Sequence, residues 1–170
     1  MTCLPTPHPI PSHIMSSFTP LTPSQVAGLH QRALAVAENA HAPYSNFRVG
    51  AAILLAPSAG IPAEAILTGC NVENASFRLT TCAEQSAIAT AVSLYGPHIR
   101  LQAVVVVNLN GAVCPPCGAC RQTILEFSTP ATRIFFPGPN GVTIEASIAD
   151  LLPHAFVAES LLPTPETPKP

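Results

Sequence analysis

The chain has 170 residues, 48% of them apolar and 9% charged, with a formal net charge of −2 at pH 7. That suits one domain with a dense core and excludes a wholly disordered chain, which needs low hydrophobicity and high net charge. Seven Lys plus Arg supply no electrostatic footprint for a polyanion, so nucleic acid is not an expected partner. The apolar stretches Ala51 to Ala56 and Ala103 to Val107 fall far short of the roughly 20 residues that span a bilayer, so no membrane association is expected either. The start of the chain has no basic region, and Pro5, Pro7, Pro9 and Pro11 interrupt any apolar run, which argues against a signal peptide. A cytoplasmic protein is the expectation. Its six cysteines are then reduced and raise a question of metal or catalysis, not of disulfides.

Of twenty prolines, six precede Gln25 and five fall at or after Pro153. Residues 1–22 read as a flexible Pro-rich lead and residues 158–170 as a flexible tail, because closely spaced prolines remove amide donors and hold the backbone extended. Residues 23–157 form one domain. Ser24 is the expected N-cap of a first helix, with Val26, Leu29, Ala33, Leu34, Val36 and Ala37 at helical spacing and Pro43 as the stop. Arg48 to Ala56 and Ala65 to Cys70 read as a strand hairpin. Thr80 or Thr81 would cap a helix from Cys82 to about Tyr95, closed by Gly96-Pro97. Leu101 to Asn108, with four consecutive valines, reads as a central strand buried on both faces. A helix from Cys117 or Gly118 to Phe127 follows, then strands Thr132 to Phe136 and Val142 to Glu145, and a short helix from Ser147 to Leu152. The order α-β-β-α-β-α-β-β-α predicts an α-β-α sandwich around a five-stranded mixed sheet.

Cys117 and Cys120 form a C-x-x-C pair at a helix start, where residues three apart share a face. Cys82 opens the preceding helix. If both helices follow adjacent parallel strands, their starts lie side by side at the carboxyl ends of those strands. Three thiolates then hold a tetrahedral zinc with its fourth position open, the pattern of a catalytic site. The rival readings are a redox pair and a closed four-cysteine site that includes Cys114; Pro115-Pro116 keep Cys114 off the helix face. Cys3 and Cys70 read as bystanders. Glu84, in the first turn after Cys82, favours catalysis, because a metal-activated water needs a base beside it.

These residues resemble a known family. Cys82-Ala83-Glu84 with Pro116-Cys117-Gly118-Ala119-Cys120-Arg121-Gln122 is similar to the signature of the zinc-dependent nucleoside and nucleobase deaminases. The stretches Ala42 to Ala52, Gly69 to Ser76 and Leu151 to Phe156 extend the likeness to the small homotetrameric cytidine deaminases, from about Ser24 to Phe156. The resemblance implies a cytidine deaminase-like fold and one Zn²⁺ per chain on Cys82, Cys117 and Cys120. It implies hydrolysis of cytidine and 2′-deoxycytidine to uridine and 2′-deoxyuridine with release of ammonia, a step of pyrimidine salvage. Glu84 would shuttle protons between the attacking water, N3 of the base and the leaving amine. The backbone at Ala83 and Cys117 would orient the base, Asn71 and Glu73 would bind the ribose 3′-hydroxyl, and Phe47 would pack on the nucleoside. Asn71 and Glu73 flank Val72 at the strand period of two, which sends both side chains to one face. Phe77 and Phe156 would reach a neighbouring subunit's site in a homotetramer. Gln85 stands where many three-cysteine members carry Arg, and it adds neutral N–H donors but no charge. The rivals are a same-fold deaminase of another aminopyrimidine nucleoside or nucleoside antibiotic, and a non-catalytic zinc module, which Glu84 beside an open ligand position disfavours. A polynucleotide editor would need stacking aromatics in a basic groove, and the chain has no Trp.

Overall fold

The computed structural model describes residues 20–161. Its elements are α1 (Pro23–Ala37), β1 (Val49–Leu55), β2 (Ile66–Cys70), α2 (Ala83–Tyr95), β3 (Leu101–Asn108), α3 (Gly118–Phe127), β4 (Arg133–Pro137), β5 (Thr143–Ala146) and α4 (Ile148–Leu151), with short 3-10 turns at Phe77–Leu79, Pro139–Gly141 and Ala158–Leu161. The expected proline-rich ends lie largely outside the described residues. No helix among the described residues is long and apolar enough to cross a membrane.

The first helix starts two residues earlier than its apolar pattern suggests. Thr22, not Ser24, is the N-cap: Gln25 N–H donates to Thr22 Oγ1 at 3.2 Å, and Thr22 N–H donates to Gln25 Oε1 at 3.0 Å. Pro23 then sits at the first helical position, where its missing N–H costs nothing. The helix ends at Ala37, well before Pro43, in a turn closed by Asn39 N–H to Val36 C=O. Neither Thr80 nor Thr81 caps α2. The Thr81 backbone is already bonded in both directions to Val72, so Cys82 itself is the N-cap residue.

The sheet runs β2-β1-β3-β4-β5, with β3 and β4 parallel and the other pairs antiparallel. Alternate residues of its central strands face two cores. Ala52, Leu54, Ala103, Val105, Val107 and Phe135 meet Leu29, Ala33 and Ala37 of α1. Ala51, Ile53, Val104, Val106, Ile134 and Phe136 meet Ala83, Ala87, Ile88 and Ala91 of α2 and Ile124 of α3. Each fully buried valine of β3 contributes roughly 1.5–3 kcal/mol over an exposed one. The expected α-β-α sandwich is therefore present. On the α1 side the sheet is covered unevenly, leaving a groove of about 890 Å³ beside β3–β5, on the face opposite α2 and α3.

The two helix starts that carry cysteines follow β2 and β3, and these strands are not adjacent. β1 lies between them, antiparallel to both, so β2 and β3 point the same way with one strand intervening. The early β1–β2 hairpin causes this, because it claims the position beside β3 before α2 crosses over. Two glycines let the helices come close. A Cβ on Gly50 would lie 2.1 Å from the Ala33 carbonyl oxygen of α1, and one on Gly69 would lie 2.4 Å from the Ala87 nitrogen and 2.6 Å from the Ala83 oxygen of α2.

Gly69→Ala is expected to lower unfolding stability by about 3 kcal/mol, since the added methyl meets backbone that cannot rotate away. Gly28→Ala, where nothing lies within 4 Å of the new Cβ, is expected to raise it by about 0.5–1 kcal/mol. Urea unfolding midpoints of the two variants against the unmodified chain check both signs.

Candidate metal centre and active site

The starts of α2 and α3 bring Cys82, Cys117 and Cys120 together, with all three sulfur atoms within 4.8 Å of one another. Cys82 Sγ and Cys117 Sγ are 3.7 Å apart. Two thiolates on a tetrahedral zinc, each about 2.3 Å from it, stand about 3.8 Å apart, so this spacing already fits the ion. Cys82 and Cys117 are the N-cap residues of their helices, and Cys117 Sγ accepts the Cys120 N–H at 3.5 Å. Cys120 is buried, Cys82 half-buried and Cys117 exposed, which leaves the cluster one open side. The donor set is three soft sulfurs, suited to zinc, and no fourth His, Cys, Asp or Glu joins the group among the described residues.

Without metal the three thiols share protons unequally. The hydrogen bond from Cys120 pulls the Cys82 thiol down to about 7, and the same bond, with burial, pushes Cys120 up. Cys82 is thus the thiol that loses its proton most readily, and the thiol protons still present must leave when metal enters. Cys114 stands apart from the cluster. It packs in the core below α3, donates its N–H to Pro137 C=O at 3.0 Å, and burial pushes its thiol up to about 11. Cys70 lies in β2, where its carbonyl accepts the Ser86 hydroxyl at 3.1 Å. Cys3 is outside the described residues.

Glu84 lies in the first turn of α2 and is only 4% exposed. Burial raises its pKa against the opposing hydrogen bonds from its own backbone N–H and the Cys120 thiol. A carboxyl beside three sulfurs and out of water is suited to hold a proton and return it. Ala83, the first helical residue of α2, is buried next to it. Gln85 does not turn its amide toward the sulfurs. Its Oε1 accepts the Cys82 N–H at 3.3 Å and its Nε2 reaches Thr123 Oγ1 of α3 at 3.5 Å, so it links the two ligand-bearing helices.

Of the remaining expected site residues, Asn71, Glu73, Phe47 and Phe77 gather around the 44–49 segment, and Phe156 does not. β2 stops at Cys70, and Val72 continues only through isolated bridges to His41 and Thr81. Asn71 is 8% exposed; its Oδ1 accepts Val49 N–H at 2.8 Å and its Nδ2 donates to Phe47 C=O at 2.9 Å. The Glu73 carboxylate accepts Tyr44 N–H at 3.0 Å, Ser45 N–H at 3.3 Å and the Ser45 hydroxyl, and the hydroxyl bond above all lowers its pKa. Both side chains therefore face the 44–49 stretch, as their spacing implies, and both already serve it. Phe47 is partly exposed. Phe77 is 76% exposed, with its ring edge-on to Tyr44 at 6.2 Å between centroids. Phe156 is 60% exposed, and its backbone is held from the start of α3. Arg121 donates to Pro116 C=O at 2.8 Å and Leu151 C=O at 2.9 Å, and Gln122 donates to Phe156 C=O at 2.9 Å. Their place directly after Cys120 is the signal that marks them.

The purified chain is expected to hold one zinc. Alanine at Cys82, Cys117 or Cys120 should remove most of it, whereas Cys114→Ala should retain it. Metal analysis of the four variants checks this, and zinc loss from Cys114→Ala would overturn the ligand set.

Comparison with known proteins agrees with this geometry. The family model described as the cytidine and deoxycytidylate deaminase zinc-binding region matches residues 23–136. A cytidine deaminase of Halalkalibacterium halodurans is 38% identical over 133 residues, which is 78% of this chain and 95% of the relative. A probable cytidine deaminase of Dictyostelium discoideum is 42% identical over 123 residues, 72% of this chain and 78% of the relative. The crystal structure of cytidine deaminase from Burkholderia pseudomallei superposes with a TM-score of 0.66 at 39% identity, covering 76% of this chain and 98% of that one. With its three-cysteine zinc centre, the chain belongs to the cytidine deaminase family of hydrolases acting on C–N bonds.

Proposed function

We propose that the chain deaminates cytidine and 2′-deoxycytidine hydrolytically. Water adds its oxygen at C4 of the base, the exocyclic amine leaves as ammonia, and uridine or 2′-deoxyuridine remains. The observation that carries this reading is the buried carboxyl of Glu84 beside three thiols with an open side. Zinc, when bound by Cys82, Cys117 and Cys120, supplies the Lewis acidity that makes a water acidic enough to attack near neutral pH. Glu84 takes the water's proton, places it on N3 of the ring and later delivers a proton to the departing amine. Its raised pKa lets it carry that proton without being a permanent anion in a buried site.

The first N–H groups of α2 and α3 have no intrahelical partner, so the backbone at Ala83 and Cys117 is available to orient the polar edge of the base. Asn71 and Glu73 meet the ribose 3′-hydroxyl with the capacity that remains beyond their bonds to residues 44–49. Phe47 packs on the nucleoside from the same segment. Products of this kind return nucleosides to the pyrimidine pool, a salvage step. The reduced thiols that the centre needs fit a cytoplasmic setting.

Phe77 and Phe156 are large aromatics left largely uncovered by their own chain. A homotetramer in which each site borrows aromatics from neighbours would bury them, and aromatic stacking contributes roughly 0.5–1.5 kcal/mol beyond the area buried.

Loss of cytidine absorbance on mixing with enzyme tests the activity. Glu84→Gln should retain zinc and fold and lose at least about 10²–10⁴-fold in turnover, because the amide cannot shuttle a proton. Near-normal turnover in that variant would remove Glu84 from the mechanism.

Shared sites have their own test. Phe156→Ala alone should be strongly impaired, and subunit exchange with Glu84→Gln chains, followed by mass spectrometry, should then restore activity. Activity equal to the sum of the separate variants, with exchange confirmed, would place Phe156 in its own subunit only.

A further inference from the structure

The stretch 46–49, which carries Phe47 into β1, has every backbone polar group partnered. Asn46 N–H donates to Ala42 C=O at 3.0 Å and Phe47 N–H to Ser45 Oγ at 3.0 Å. Arg48 C=O accepts Leu109 N–H at 3.0 Å, and Val49 C=O accepts Asn71 N–H at 3.2 Å. Two asparagine side chains make the other four bonds. Asn71 Nδ2 donates to Phe47 C=O while its Oδ1 accepts Val49 N–H. Asn110 Nδ2 donates to Asn46 C=O at 3.0 Å while its Oδ1 accepts Arg48 N–H at 3.1 Å.

Both amides thus span residues i and i+2, giving a donor to the first and an acceptor to the second. Those are the two bonds that one residue of a parallel strand gives its neighbour. Asn71 follows the end of β2 and Asn110 follows the end of β3, the two strands that flank β1. Their side chains therefore prolong the sheet on both sides of β1 beyond its last backbone pairs, Gly50 with Cys70 and Val49 with Asn108. Asn110 is itself held by Asn108, whose buried Oδ1 accepts Asn110 N–H at 2.8 Å and Ala112 N–H at 3.2 Å. The clamp acts beside Asn46, which sits in the left-handed region at φ 56°, a conformation that Asn tolerates better than other residues with a Cβ and that its two bonds hold in place.

We propose that Asn110 is a positioning residue for the nucleoside: by clamping residues 46–48 from the β3 side, it fixes the direction in which Phe47 leaves the sheet. The inference rests on the reading of Phe47 as a nucleoside contact, and it adds a residue that never touches substrate. Packing by Phe47 serves ground state and transition state alike, so its loss shows in KM and not in kcat.

The experiment is a double-mutant cycle on the zinc-loaded full chain, with cytidine as substrate and zinc content and thermal midpoint measured alongside. Asn110→Ala should raise KM about tenfold, the order expected for losing one two-bond clamp, with kcat changed less than about twofold. In a Phe47→Ala background the same substitution should change KM no further. Asn110→Asp keeps the acceptor for Arg48 N–H and loses the donor to Asn46, so its KM should fall between the two. It also carries the comparison if Asn110→Ala does not fold. Equal KM effects of Asn110→Ala with and without Phe47 would overturn the inference, as would a fall in kcat at unchanged KM, which is what a loss of folded protein produces. Absence of cytidine turnover by the unmodified chain would overturn the functional reading and this inference with it, whereas additivity with turnover intact overturns this inference alone.

Discussion

Thiols on two different helices meet only if both helices start at the same end of the sheet, at a separation that two Cα–Cβ–Sγ arms can close. Here β2 and β3 point the same way with β1 between them, and the sulfurs of Cys82 and Cys117 come to 3.7 Å. A single intervening strand sets the helix starts roughly two strand spacings apart, about 9.5 Å, before the helices tilt inward. α2 lies directly on the β2 backbone at Gly69, and Gln85 ties its start to Thr123 of α3. The chemistry depends on this packing before it depends on any reactive group.

Charge is the second constraint. Three thiolates with a divalent ion leave an excess of −1, and the helix starts that carry the cysteines offset about half a charge each. Gln85 contributes no charge, and its amide is engaged with backbone and a hydroxyl. Part of the neutralisation in this chain therefore comes from oriented N–H groups at the two helix starts. Such dipoles are fixed by the fold and need no long cationic side chain to be ordered beside the metal.

Much of this was legible in the residues. β3 runs from Leu101 to Asn108 as its four valines suggest, because a strand buried on both faces leaves no polar alternation to misread. The C-x-x-C pair was legible from helix geometry, which fixes the spacing of neighbours on one turn, whereas Cys82 was joined to it through a premise of adjacent parallel strands that the sheet order replaces with a shared strand direction across β1. What was hidden has a common cause, competition from partners distant in sequence or overlooked nearby. Thr81 is a good cap by type, but Val72 takes its backbone. Ser24 is another, but Thr22 with Pro23 forms the better start. The place of β1 between β2 and β3 is a pairing decision that no periodicity records. Asn108 closes the strand in sequence and Asn110 follows it with no signal of its own, and only the fold reveals that their amides reach back some sixty residues to the Phe47 segment.

The bare strand surface under α2 has a further effect, on motion. Side chains in a packed core still hop between rotamers, and a helix resting on them inherits some of that motion. At Gly69 the helix rests on the strand backbone itself through the Ala83 carbonyl, the Ala87 nitrogen and the Ser86 Cβ, atoms that no χ rotation moves. The first turn of α2, which carries Glu84 next to Ala83, is thus seated there on atoms that rotamer changes do not displace. To shift that contact the backbone of strand or helix must itself move, so the setting of Glu84 against the sheet is decoupled from side-chain repacking at this point.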